Sequence, residues 1–431
     1  MISLGKTNTI PGTLDQSFAN EGVYRLQSPS PARLFGVRTR QGFVPERLYF
    51  TGSVRTAHSS YVLGCLLPDG TLDSKFAKEG LAIADFLPNA NSAGQSVSLL
   101  DDGTILLHGW TRNSVPVLIR FDNNGAVDTT FGTAGMVVLE KPTSHSGKPT
   151  LITTEGGQSS ANVMVLANGK ILVAVTYVAP FTDKATYIFL LNSNGSPDKE
   201  FNGTGLVPVV HPGGKPADIY LRSGLIDPEG NIVVCGSLEP EVDKPQALFA
   251  RYKPDGRPDT YFGKDGFVIC SEPTLGITSL QRVIVQPDNR LLGIGSTKNH
   301  GGLLISLELN GNANPEFNDG QPLTTRLGSQ DTHWTAAAMQ TDGKIIVVGG
   351  TYAQAQSASV VVRLLKDGQL DTGFNARGWW STEAPGWNFQ DVTMQSDGKI
   401  VIAGNNNQDG VVLRFNGGDL PEVLRNHPGI H

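Results

Sequence analysis

The chain has 431 residues, a formal charge of −6 at neutral pH, 39% hydrophobic residues and only 17% charged ones. The acidic balance offers no basic stripe to neutralise phosphates, which argues against a nucleic-acid partner, and no apolar run approaches the ~20 residues that span a bilayer, so no membrane insertion is expected. With 51 Gly and 26 Pro, the composition suits many short strands joined by tight turns and does not suit a helical bundle.

The first residues, Met1-Ile2-Ser3-Leu4-Gly5-Lys6-Thr7-Asn8, lack the charged start and apolar core of a secretory signal. The expectation is a cytoplasmic protein or one exported by another route. A message then begins that recurs to the end of the chain: an Asp, a Phe three residues on and a Gly four further. Its copies are Asp15/Phe18/Gly22, Asp73/Phe76/Gly80, Asp128/Phe131/Gly135, Asp198/Phe201/Gly205, Asp259/Phe262/Gly266, the weaker Asn314/Phe317 and Asp371/Phe374/Gly378. Consecutive copies lie 55 to 70 residues apart. Such a period means a repeat architecture.

Between signatures lie four strand-like runs. After each signature comes a short run such as Val23-Tyr24-Arg25-Leu26 or Gly135-Met136-Val137-Val138-Leu139. Another run follows, seen near the C-terminus as Phe389 to Gln395, then an Asp397-Gly398 turn and Lys399 to Gly404. The turn repeats as Asp102-Gly103, Asn168-Gly169, Glu229-Gly230, Asp288-Asn289 and Asp342-Gly343, pairs that tolerate positive φ in a tight hairpin. Only the first unit has a longer loop there, Arg40 to Pro45. A run rich in β-branched and aromatic residues, such as Val411-Val412-Leu413-Arg414-Phe415 or Val360-Val361-Val362-Arg363-Leu364, precedes a second Asx-Gly turn and the next signature.

Each unit is therefore a four-stranded antiparallel meander with two apolar faces that only neighbours can cover. Radial stacking solves this, and seven copies predict an all-β, seven-bladed β-propeller over residues 1–431 as a single domain, with tails at about 1–11 and 419–431. The chain starts just before a signature and its run Val23 to Leu26, and finishes at Val411 to Phe415. The sequence predicts that the N-terminal run adds as outermost strand to the last blade. That phase makes the runs ending at Gln286, Gln340 and Gln395 innermost. The rival phase closes the ring by packing alone.

The signature carboxylates of Asp15, Asp73, Asp128, Asp198, Asp259 and Asp371 can accept backbone N–H bonds two or three residues on, as at a helix N-cap. Phe18, Phe76, Phe131, Phe201, Phe262, Phe317 and Phe374 are expected to plug the gaps between blades. Arg120, Arg251, Arg363 and Arg414 recur at one position of the third run and are candidates to pair with the signature carboxylates. A calcium loop would need several oxygen ligands on alternate residues; each copy offers one Asp, and Asn314 replaces it once. Cys65, Cys235 and Cys270 form no CxxC and are expected as small apolar residues in strands, as Ala403, Val348, Ile294 and Ala174 stand where Cys235 does.

The elements Asp397-Gly398-Lys399-Ile400-Val401-Ile402-Ala403-Gly404 and Asp367-Gly368-Gln369-Leu370-Asp371-Thr372-Gly373-Phe374 resemble the bacterial delta-60 repeat, a β-propeller repeat, over essentially the whole chain. The resemblance implies the fold alone, because that family has no common activity, and it transfers no functional residue.

Antiparallel strands send their connections to opposite faces. The Asx-Gly turns and signatures share one face, and the unlike segments collect on the other: 28–42, 87–95, 142–160, 211–221, 326–336 and 382–390, with the shorter 178–184 and 238–245. Binding usually resides in loops carried by a rigid scaffold, so the candidate ligand-binding residues are Trp334, His333, Trp387, Trp110 and Tyr177, whose rings could stack on a sugar or anchor a protein. Of Trp379 and Trp380 in an outer strand, only one is expected to face the core.

No catalytic residues are predicted. The eight histidines, His58, His108, His145, His211, His300, His333, His427 and His431, show no zinc spacing, Ser146 to Thr150 is an incomplete phosphate loop, and no GxSxG occurs. The inner runs supply Asp391, Asp227, Arg222 and Arg282 without a convergent carboxylate set. The first expectation is a monomeric, non-enzymatic scaffold that binds a protein or glycan, with no cofactor. The alternatives are a hydrolase or lyase with a divalent metal in the central channel, and a structural module of a bacterial surface or secreted assembly.

Overall fold

The β-branched runs fold as strands because each is bounded by residues that turn the chain sharply. At Gly70, Gly125, Gly256 and Gly368 φ is between +84° and +91°, a region open to glycine at no steric cost. The computed structural model describes residues 10–28, 30–40, 45–55, 57–111, 114–142, 160–178, 185–213, 217–240, 244–270, 272, 274–298, 301–352, 357–382, 384–407 and 409–418. The Arg40 to Pro45 loop, the phosphate-loop-like Ser146 to Thr150, His145, His300, His427 and His431 lie wholly or mostly outside these residues.

Among the described residues there are 28 strands in six antiparallel sheets, five of four strands and one of eight. The eight-stranded sheet is two four-stranded meanders. They are continuous because Leu323–Leu327 pairs with Gln330–Met339 over a tight turn, Leu327 opposite Gln330. A short 3-10 turn lies at Asn318–Gly320.

The first strands of successive meanders pack side by side around a central channel: Ala32–Thr39, Ala93–Leu99, Ser160–Val165, Ala217–Ile226, Thr278–Val285, Gln330–Met339 and Trp387–Met394, the last returning against the first. The sheets thus close into a ring, the propeller arrangement. Buried apolar side chains gather in clusters that each span two neighbouring sheets, such as Phe76, Phe86, Leu107 and Phe121 with Tyr61 and Leu63. Every sheet consequently has a core on both faces. This corrects the expectation for Trp379 and Trp380: both are half-buried, Trp379 against the cluster on one face and Trp380 against the cluster on the other.

The two chain ends meet in one sheet. Val23–Arg25 pairs antiparallel with Asp409–Phe415, Tyr24 opposite Val412, outside Ile400–Asn406 and Trp387–Met394. Pro11, placed by the sequence in a terminal tail, belongs to the ring: its carbonyl accepts the Asn375 N–H at 2.7 Å. Equivalent bonds join each signature to the next sheet's turn. Ala19 donates to Asp69, Ala77 to Asn124, Gly132 to Asn194, Asn202 to Asp255, Gly263 to Asn310 and Asn318 to Asp367, at 2.6–3.1 Å.

Side chains reinforce this contact. In each signature the Asx oxygen accepts the backbone N–H two residues on, from Ser17 and Asp15 (3.1 Å) to Gly373 and Asp371 (3.0 Å), and Asn314 accepts from Glu316 at 3.0 Å. The signature Phe rings are buried against the neighbouring turn glycine; a Cβ on Gly125 would come within 2.9 Å of Phe76. Arg120, Arg251, Arg363 and Arg414 bond Asp128, Asp259, Asp371 and Asp15 at 2.7–2.8 Å. Each guanidinium also lies 4.5–4.9 Å from the centre of a signature Phe ring and donates to a carbonyl of the next sheet: Ser193, Leu309, Gly417 and Pro68.

Where that Arg is missing, the partner changes too. Asp73 pairs with Arg47 and Asp198 with Lys170, both from the position just before the second strand. Asn314 faces Ser306 at 2.9 Å, a neutral pair in place of a charged one. The amide keeps the backbone bond and loses only the ion pair. Cys65 and Cys235 are buried and Cys270 partly so; burial pushes the Cys65 thiol up to about 12 and Cys235 higher, so neither is a nucleophile at neutral pH.

Candidate functional site

The inner strands begin farther out than the sequence indicates. Segments taken as loops, such as 28–42 and 326–336, contain Ala32–Thr39 and most of Gln330–Met339. That shift decides the fate of the aromatic candidates. Trp334 is only 1% exposed, its indole N–H donates to Thr325 Oγ1 at 2.9 Å, and its ring belongs to an inter-sheet core. Tyr177 is also buried and donates to the Leu139 carbonyl at 2.8 Å. These two serve packing, which corrects their assignment as ligand contacts: a ring enclosed on all sides has no face left for a ligand.

The others keep accessible surface. His333 is half-buried and stacks on Tyr352 at 4.5 Å, with Tyr352 62% exposed. Burial lowers the His333 pKa below its ordinary value, so the imidazole is neutral at pH 7. Trp387 is half-buried beneath the Arg25 guanidinium, 5.6 Å from the ring centre, while Arg25 reaches Asp409 at 3.5 Å. Trp110, at the outer end of Ile105–Thr111, sits at the mouth of the central channel.

That mouth is built by a device the sequence reading missed. In six inner strands the pairing register slips by one residue, between Leu34 and Gly36, Gly94 and Ser96, Leu221 and Ser223, Leu280 and Arg282, Trp334 and Ala336, and Phe389 and Asp391. A β-bulge re-aims the extra side chain. The six extra residues, Phe35, Gln95, Arg222, Gln281, Thr335 and Gln390, all line one cavity of about 330 Å³ together with Trp110. A signal exists: buried apolar residues three apart, Leu34/Val37, Leu280/Val283 and Phe389/Val392, where a regular strand would place them two or four apart.

The cavity is positively charged. Arg38, Arg222 and Arg282 line it, opposed by the single carboxylate of Asp391. Both Asp391 oxygens are engaged: Oδ1 accepts from Arg282 at 2.7 Å, and Oδ2 from Arg38 at 2.6 Å and the Val37 N–H at 3.2 Å. Burial would raise the Asp391 pKa, but Arg38 and Arg282 outweigh it and hold the carboxyl below its ordinary value. It is therefore a fixed anion between two blades. Asp227, the other acid considered for the channel, instead pairs with Arg251 at 3.3 Å in a buried network on the turn side. Deeper in, a second cavity of about 340 Å³ is lined by Met164, Met339 and Met394 below Arg38 and Arg282.

A larger cavity, about 550 Å³, opens on the turn face between the sheets of Ser160–Val165 and Ala217–Ile226. It exists because Leu190 occupies the place of the stapling arginine. Its walls are Leu166, Leu190, Phe201, Ile226 and Ile232, and its one cation, Lys170, already pairs with Asp198 at 2.7 Å among three lining carboxylates, Asp198, Glu200 and Asp255. The channel mouth is the stronger candidate, because it gathers re-aimed polar side chains from around the ring.

A family model described as a domain of unknown function (DUF5122) beta-propeller matches residues 100–131, 340–374 and 395–418. The WD40 β-propeller domain of Doa1 is similar at 11% identity and a TM-score of 0.42, covering 94% of this chain and 99% of that one. Sqt1 from Chaetomium thermophilum is similar at 13% identity and a TM-score of 0.44, covering 90% and 97%. A protein of unknown function from Bacteroides caccae is similar at 9% identity and a TM-score of 0.36, covering 82% and 100%. No curated protein matches the chain. The chain is thus an all-β propeller carrying three stretches that match a family without an assigned activity.

Proposed function

We propose that this protein is a non-enzymatic recognition module, a seven-bladed propeller of delta-60-type repeats that binds a small polar ligand, a glycan by preference, at the channel mouth. The eight-stranded sheet counts as two blades, and the circle of signature-to-turn bonds then links seven units. The observation that carries the functional reading is the set of bulges: six inner strands each give up regular pairing at one level to turn a side chain into the same cavity. A volume of about 330 Å³ is within the range of small-ligand sites, and Trp110 and Phe35 beside amides suit the alternating apolar and hydroxyl faces of a sugar. A metal-dependent hydrolase reading fares worse, since three guanidinium groups would repel a divalent cation and both Asp391 oxygens already accept hydrogen bonds from Arg282, Arg38 and the Val37 N–H. Protein docking has one observation in its favour, the exposed Tyr352 stacked on His333.

The test is a glycan array followed by titration of any hit. Trp110→Ala should weaken binding at least tenfold, while Trp379→Ala, in an outer strand, should leave it unchanged. Equal binding by wild type and Trp110→Ala would move the site elsewhere.

A further inference from the structure

Resting on the channel mouth as the recognition site, we propose that its ligand is an anion, a carboxylate or a phosphate group held by Arg222 and Arg282. Arg222 is a bulge residue of Ala217–Ile226, exposed into the cavity, and among the described residues its guanidinium has no ion-pair partner. A cation aimed into a concave site without a counterion leaves its charge to be met by solvent or by ligand. Arg282 spends one amino group on Asp391, and its planar fork has further N–H donors to offer.

Asp391 acts as a positioning residue. By binding Arg282 on one oxygen and Arg38 on the other, it fixes two guanidinium groups from blades that are not neighbours. It neutralises only one of the three positive charges, so the mouth stays cationic within a chain whose formal charge is −6. A cleft of one sign with low-dielectric walls focuses its field on an ion of the other sign. Bidentate pairing of a planar carboxylate or a phosphate is the geometry that arginine serves best. Gln95, Gln281 and Gln390, delivered by the same bulges, supply amide donors for the remaining ligand oxygens.

The experiment is calorimetric titration of the full chain with inorganic phosphate, with galacturonate and with neutral galactose, at constant ionic strength. Wild type should bind at least one of the two anions more tightly than galactose. Galacturonate alone would assign a carboxylate, phosphate alone a phosphate-bearing ligand. Arg222→Gln, at an exposed position, should weaken anion binding at least tenfold. Asp391→Asn, checked for native circular dichroism, should weaken it by releasing the Arg282 and Arg38 guanidinium groups from their fixed positions. Absence of anion binding by wild type, or anion binding that Arg222→Gln leaves untouched, overturns the inference. Galactose and galacturonate binding equally, both lost in Trp110→Ala and neither in Arg222→Gln, would overturn the anionic assignment and keep the recognition site.

Discussion

Phe262 is wholly buried between two sheets, with the Arg251 guanidinium 4.9 Å from its ring centre. Truncation to Ala removes an inter-blade plug, and Phe262→Ala should lower unfolding stability by roughly 3–5 kcal/mol in a denaturant titration. Asn314→Ala should cost about 2 kcal/mol, because an Asx cap and one neutral hydrogen bond to Ser306 are lost there without an ion pair. Acid sensitivity includes two contributions in separate pH windows. Burial drives the His108 pKa from 6.5 down to about 3. The unfolded chain therefore takes up a proton that the folded protein refuses, and stability falls as pH drops below about 6.5, by at most about 1.4 kcal/mol per unit. A His108→Gln variant should flatten that limb. Asp15 moves the other way from its buried setting: desolvation opposes ionisation, but bonds from Ser17 and Lys399 and the Arg414 charge bring its pKa down to about 2. Its contribution is present above the unfolded value near 3.8 and is lost as pH falls towards 2, so Asp15→Asn should remove the steeper fall in that lower window.

At the scale of the element, turns that look alike in sequence differ in what surrounds them. Gly70 and Gly230 share φ of +85° and +87°, yet a Cβ on Gly230 meets nothing within 4 Å, whereas one on Gly70 would lie 2.7 Å from the Ala19 nitrogen. Gly230→Ala should cost only the left-handed strain of about 1–2 kcal/mol, and Gly70→Ala measurably more, as read from midpoints under one denaturant. The repeat made strands, turns and plugs legible, because Asx-Gly pairs and the Asp/Phe/Gly signature recur at one spacing. The inner strands were harder to delimit. Their bulges break the two-residue alternation, so Trp334, beside one of them, reads as a loop residue although it fills a core position; Tyr177 does so for another reason, since it ends the strand Ile171–Tyr177 next to a variable segment. Gln95, Gln281 and Gln390 are hidden for the same reason as the bulges: their neighbours carry the apolar signal, and a polar residue between them reads as solvent-facing.

The whole molecule depends on joining its two ends. Val23–Arg25 covers the Asp409–Phe415 edge, and Asp15 and Phe18 staple that sheet to the next through Arg414. A chain lacking residues 1–26 should therefore expose a hydrogen-bonding strand edge and lose an inter-blade staple at once. It should melt well below the full chain and self-associate in sedimentation, where an unchanged melting temperature and a clean monomer would count against closure by the N-terminal strand. Charge distribution is the other molecular property that composition hides, since a net acidic chain encloses a cationic channel mouth and only the closed ring brings Arg38, Arg222 and Arg282 together.

The most direct measurement of the central claim is the indole ¹H–¹⁵N spectrum of the five tryptophans during titration with galacturonate. The Trp110 signal, at the channel mouth, should shift progressively, with those of Trp334, locked to Thr325, and the outer-strand Trp379 unmoved. A stationary Trp110 under saturating ligand, or shifts confined to Trp379 and Trp380, would contradict recognition at the channel mouth.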